Sequence, residues 1–138
     1  MTVALSANLL PGDELLSPVG KPYDTLEEVI GIRPSKCSLK EYGVTYRQVD
    51  LLEDGSFDYD KIAEAINEKT KLVTIQRSKG YQTRPTFSVK QIGELIAFVK
   101  KIKPSLSVMV DNCYGEFVET EEPSDYGADM VVGSLIKN

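Results

Sequence analysis

Short apolar, β-branched runs that stop at polar residues alternate along this chain with stretches of helical periodicity, and few folds accommodate that alternation. Lys71-Leu-Val-Thr-Ile-Gln76 is one such run. After it Ser88 caps an amphipathic helix through about Lys101, with Ile92, Leu95, Ile96 and Val99 as its apolar stripe and Pro104 beyond its end. The next runs are Leu106 to Asp111 and Asp129 to Ser134. Strands that read as continuous apolar runs are buried on both faces, which is the state of strands in a parallel sheet. Helices between them supply right-handed crossovers and cover both faces, so the expected fold class is α/β with three layers.

The first half fits the same scheme. Met1 to Leu10 is helix-compatible, lacks a cap and ends at Pro11-Gly12. Glu14 to Pro18 reads as a short strand, and Asp24 is expected to cap a helix through about Ile30. Residues 31–43, rich in Gly, Pro, Ser and Lys, read as a mobile connection. Val44 to Val49 alternates like a half-buried strand, Asp54-Gly55 marks a turn, and a helix opens near Asp58 with Ile62, Ala63, Ala65 and Ile66 on one face. Glu119 to Asp125 reads as a solvated acidic loop. Five strands fit within 138 residues.

Several function classes drop out on composition. The net charge is -5 and no basic stripe exists; Lys100, Lys101 and Lys103 read as a solvated helix end. Binding to a nucleic-acid backbone is therefore not expected. The chain has no histidine, and its two cysteines, Cys37 and Cys113, lack metal spacing, which excludes a zinc site and a Ser-His or Cys-His nucleophile within it. No apolar run approaches the roughly 20 residues of a membrane span. Two ordinary thiols and no signal peptide give a cytoplasmic expectation.

What remains is the chemistry at the ends of the last two strands: Asp111-Asn-Cys-Tyr114-Gly-Glu-Phe, then Gly133-Ser134-Leu-Ile-Lys137-Asn. Ligands of open α/β sheets bind outside the carboxyl ends of the strands, so this acid and this amine should share a crevice. The two motifs resemble the pyridoxal-phosphate (PLP) enzymes of the aspartate-aminotransferase fold, fold type I. Among these they are most similar to the methionine gamma-lyase family, whose members are often called aluminium resistance proteins. The resemblance runs over essentially the whole chain. It implies a strand order of 2-1-3-4-5 within a seven-stranded large domain.

It also implies a role for each matched residue. An amine that condenses with an aldehyde cofactor must be partly deprotonated, as a lysine is when desolvated or beside another cation, and Lys137 is that amine. Asp111 would keep the pyridine nitrogen protonated. Tyr114 would sit near the ring's 3-oxygen and Ser134 would bind the phosphate. Tyr23, after the first strand, would stack on the pyridine ring. Fold type I aminotransferases usually carry an asparagine where this chain has Arg77-Ser-Lys-Gly-Tyr81. Arg77, Ser78 and Tyr81 either face the cofactor or a substrate carboxylate, which Arg can bind bidentately, or form a solvated basic loop.

The expected activity is carbon–sulfur elimination from a cysteine- or methionine-like amino acid, by a parent that is a homodimer or homotetramer. Transamination and decarboxylation stay open, because the residues that select the side chain lie largely outside these limits. The chain is expected to be part of the catalytic large domain, residues 1–138, without the upstream phosphate-binding turn and the C-terminal domain, and inactive alone. A final strand left at a sheet edge would make it prone to associate through residues 129–136. Two other classes compete. A receiver or flavodoxin-like module shares the sheet order, but a receiver needs an acidic pair where this chain has Ser17-Pro-Val-Gly20. A non-catalytic interaction module would not need Asp111, Tyr114, Ser134 and Lys137 together.

Overall fold

The computed structural model describes residues 1–137; Asn138, which ends the second motif, lies outside the described residues. Five strands, β1 Glu14–Ser17, β2 Thr45–Gln48, β3 Thr70–Gln76, β4 Ser107–Asp111 and β5 Met130–Val132, form one sheet in the order β2-β1-β3-β4-β5. Every pairing is parallel. The expected order is the observed one, and all carboxyl ends lie along one edge.

Side chains alternate across a strand, so neighbouring residues feed different layers. Leu16, Val73, Ile75, Val108 and Val110 pack with Ile62 of α3 (Tyr59–Ala65) and Ile92, Leu95, Ile96 and Val99 of α4 (Val89–Ile102). Their neighbours Leu15, Leu72 and Met109 pack with Leu5 of α1 (Thr2–Asn8) and Leu26 and Ile30 of α2 (Asp24–Ile30). Burying each such side chain contributes about 1.5–3 kcal/mol, enough to fix the register of both layers. Ser88 caps α4 as expected, accepting from the Gln91 amide while the Gln91 side chain bonds back to Ser88.

Three local expectations change. Tyr23, not Asp24, is the N-cap of α2, and Asp24 is its first helical residue. Residues 31–43 are tied down: Gly31 takes φ 93° at the end of α2, the Leu39 and Lys40 amides donate to the carbonyls of Val29 and Ile30, and Leu39 is buried. A Cβ on Gly31 would lie 2.7 Å from that of Lys40, so this return needs glycine for space as well as for backbone angle. β5 is shorter than its apolar run, and its residues are half-buried or exposed rather than buried on both faces, because it is the edge strand.

Candidate functional site

Asp111 closes β4, paired with Gln76 at the end of β3 and Val132 at the end of β5. That register places the loops after three strands side by side, and the loop after β1 joins them through Tyr23. Asp111 is 6% exposed, and its Oδ1 accepts from the Cys113 amide at 3.1 Å. A cleft of about 270 Å³ opens against it, lined by Tyr23, Thr25, Asp111, Cys113, Gly133 and Lys137, with Met1 at its rim.

Lys137 reaches this cleft from a turn after β5, where its amide donates to the Ser134 carbonyl at 3.0 Å. Its Nζ stands 4.5 Å from the centre of the Tyr114 ring and 5.8 Å from that of Tyr23. Cations are held over aromatic faces at such distances. Burial works to lower the Lys137 pKa, but Cys113, Tyr114, Tyr23 and Asp111 outweigh it and hold the pKa above the ordinary lysine value. Burial, one of the two expected routes to a partly deprotonated amine, is therefore present but outweighed.

Tyr114 takes φ 70°, a left-handed backbone that is rare for a tyrosine, within a turn closed by the Gly115 amide donating to the Asn112 carbonyl. Ser134 does not line the cleft; its amide donates to the Glu116 carboxylate. Against the burial that would raise it, the amides of Ser134, Glu116 and Tyr114 and the Lys137 ammonium hold the Glu116 carboxyl below the usual carboxylate range. Tyr23, Asp111 and Lys137 therefore share one cavity, Tyr114 adjoins it through Lys137, and Ser134 stands beside it.

In the loop after β3, Lys79 and Tyr81 are exposed as one reading had it, but Arg77 fits neither reading offered by the sequence. Arg77 is 2% exposed: Nε donates to the Phe87 carbonyl, Nη1 to Asn112 Oδ1 and the Gly115 carbonyl, and Nη2 pairs with Glu119. Glu119 also accepts from the Val89 amide, and Glu122 accepts from Asn112 Nδ2 and the Phe117 amide. The acidic loop is largely exposed, as expected, but Glu119 and Glu122 also serve as counterparts of buried groups, and the loop ends in a 3₁₀ turn at Pro123–Tyr126. Arg77→Met would strand three oxygens now hydrogen-bonded in the interior. It should lower stability by about 2–4 kcal/mol, read as a lower urea midpoint at unchanged slope. Ser78 contributes its carbonyl, to Gln76 Nε2 and Arg84 Nη2, and Tyr81 is 90% exposed with its ring edge-on to Tyr23.

Cys113 lines the cleft, yet burial, then its hydrogen bond to Asp111 and that residue's charge, push its thiol up to about 11. The thiolate is the reactive form, and at pH 7 only about one Cys113 in ten thousand carries it. Iodoacetamide at neutral pH should therefore label exposed Cys37 well before Cys113, with Cys113 labelling accelerating as pH rises towards 11; peptide mapping reads both. Among the described residues no cluster could hold a metal, and no helix is long and apolar enough to cross a membrane.

The sequence profile described as methionine gamma-lyase matches residues 1–138. The chain belongs to the methionine gamma-lyase family. A Bacillus subtilis relative, YnbB, is 56% identical over 140 residues, covering all of this chain and 33% of that protein. A Listeria monocytogenes crystal structure, provisionally called a cystathionine beta-lyase involved in aluminum resistance, superposes with a TM-score of 0.97 at 52% identity. It covers 99% of this chain and 35% of that one. A carbon-sulfur lyase involved in aluminum resistance from Clostridium novyi gives 0.92 at 45% identity, over 98% of this chain and 32% of that one. This chain therefore spans about a third of the length of these relatives. Membership of the methionine gamma-lyase family removes the receiver and flavodoxin alternatives, which shared its sheet order.

Proposed function

We propose that the whole protein to which this chain belongs is a PLP-dependent carbon–sulfur lyase acting on a sulfur-containing amino acid. In this reading residues 1–138 belong to its cofactor-binding large domain, and the subunits form a homodimer or homotetramer. The observation that carries the reading is that a buried carboxylate, an amine and an aromatic ring, from the carboxyl ends of three different strands, line one cleft. The donor set fits the cofactor: an acid for the ring nitrogen, an amine for the aldehyde, a ring for stacking. The uncapped start of α1 also reaches the cleft through Met1. PLP supplies an electron sink for the electrons released at the substrate Cα.

The residues divide the remaining work. Asp111, held by the Cys113 amide, would keep a proton on the ring nitrogen of the cofactor. Lys137 would anchor the cofactor covalently, and its Nζ would take the substrate Cα proton and return it to the departing sulfur. Tyr114, whose ring centre lies 4.5 Å from that Nζ, would orient it, while Tyr23 would stack on the cofactor ring. Ser134 is assigned the phosphate; its place beside the cleft means that hydroxyl must turn inward.

The test is product analysis with cystathionine, cysteine and methionine as substrates. Release of a thiol, ammonia and a 2-oxo acid without any added amino acceptor is the expected result. Product formation only when a 2-oxo acid acceptor is supplied would make the protein an aminotransferase instead.

A further inference from the structure

Gln76 is absent from every role assigned above, yet it is the last residue of β3, register partner of Asp111 and only 5% exposed. Its carboxamide uses both ends. Oε1 accepts from the Tyr23 backbone amide at 2.8 Å, and Nε2 donates to the Ser78 carbonyl at 3.0 Å. Tyr23 and Gln76 are 53 residues apart, so this bond joins the loop after β1 to the end of β3, from which the next loop departs.

The same loop touches Tyr23 twice more. The Tyr81 ring meets it edge-on at 5.8 Å between centroids, and Gly80, at φ 59°, passes so close that a Cβ there would lie 3.1 Å from the Tyr23 ring. Arg84 braces the arrangement from behind, donating to the carbonyls of Val19, Gln76 and Ser78. Tyr23 is also the shared wall of two clefts, the one containing Asp111 and Lys137 and a neighbouring one of about 180 Å³ lined by Lys21, Gln76 and Lys79. A shift of this ring would alter both.

We propose that Gln76 is a positioning residue: its buried carboxamide fixes the Tyr23 backbone and thereby sets how far the Tyr23 ring stands from the Lys137 ammonium. A primary amide is required because one partner is a donor and the other an acceptor; glutamate offers no donor for Ser78 and leucine offers neither. The functional part of the inference rests on the reading of Tyr23 as a cofactor contact.

The experiment is a double-mutant cycle in the whole protein, with PLP affinity of the cofactor-free form as readout. Gln76→Leu should weaken PLP binding about tenfold, the equivalent of one well-made hydrogen bond. In a Tyr23→Ala background it should have no further effect, because the residue it acts through is gone. An equal tenfold loss in that background would overturn the proposal. Should Tyr23→Ala alone leave PLP affinity unchanged, the reading of Tyr23 is wrong, and the positioning is still decided by titrating ¹³C-labelled tyrosine. Burial, then Tyr114 and Tyr81, hold the Tyr23 phenol above the ordinary tyrosine value. Lys137 works the other way, so a ring released from its place should titrate at a changed pKa in Gln76→Leu, and an unmoved titration would overturn the proposal. Gln76→Asn, whose shorter carboxamide spans neither bond, provides both readings if Gln76→Leu fails to fold.

Discussion

Lys137→Ala in the whole protein is expected to cut turnover by more than about a thousandfold and to leave no PLP that borohydride can fix to the polypeptide. Both losses follow from one atom, since the proposed anchor and the proposed base are the same Nζ. The fold should not suffer, because Lys137 is exposed and its packing is limited to the faces of Tyr114 and Tyr23. The urea midpoint should therefore stay near that of the unsubstituted protein while activity and colour disappear. A borohydride-fixed pyridoxyl group found on another lysine would remove Lys137 from its role.

The second large effect is expected at Asp111, where two substitutions separate charge from shape. Asp111→Asn keeps an oxygen to accept from the Cys113 amide, so the turn that carries Tyr114 should persist. Only the negative charge proposed to face the PLP ring nitrogen is lost, and the electron sink should weaken with it. Turnover should fall by about a hundred- to a thousandfold, the scale of losing one preorganised electrostatic partner. Asp111→Ala should fall at least as far and also lower the urea midpoint, since it uncaps the turn. Equal activity in the asparagine variant would show that the charge is not used.

β3 and β4 were legible as short apolar, β-branched runs set between turn signals and helical stretches, and β2 by its alternation. α4 was legible for its capping box and apolar stripe, both local signals. Asp111, Tyr23 and Lys137 could be placed together because a parallel sheet puts every carboxyl end on one edge. Arg77 was misjudged for the opposite reason. What neutralises and hydrogen-bonds it lies 10 to 42 residues away, at Phe87, Asn112, Gly115 and Glu119, so its neighbours in sequence suggest exposure while its neighbours in space enforce burial. The acidic loop is solvated as its composition suggested, but the inward bonds of Glu119 and Glu122 left no local signal for the same reason. Gln76 carried no signal at all: a polar residue at a strand's end is ordinary, and only the distance to the Tyr23 amide distinguishes it.

The strand order has a consequence for how the chain folds. β1 lies in the interior of the sheet, so it must find β3 across a wide span: Glu14 and Thr70, bonded at the lower edge, are 56 residues apart, whereas Arg77 and Asn112 are 35 apart. Loop-closure entropy separates these by only about 0.4 kcal/mol, so packing decides the order. The unit β3–α4–β4 contains the longest helix, its capping box and most of one hydrophobic layer. It should form the nucleus, with β1 and β2 docking afterwards. Leu95→Ala is then expected to slow folding, and Leu15→Ala mainly to speed unfolding, in stopped-flow measurements. On that route the Asp111 side of the cleft exists before the Tyr23 side arrives. A newly made chain would pass through a stage in which the acid is in place and the ring is not.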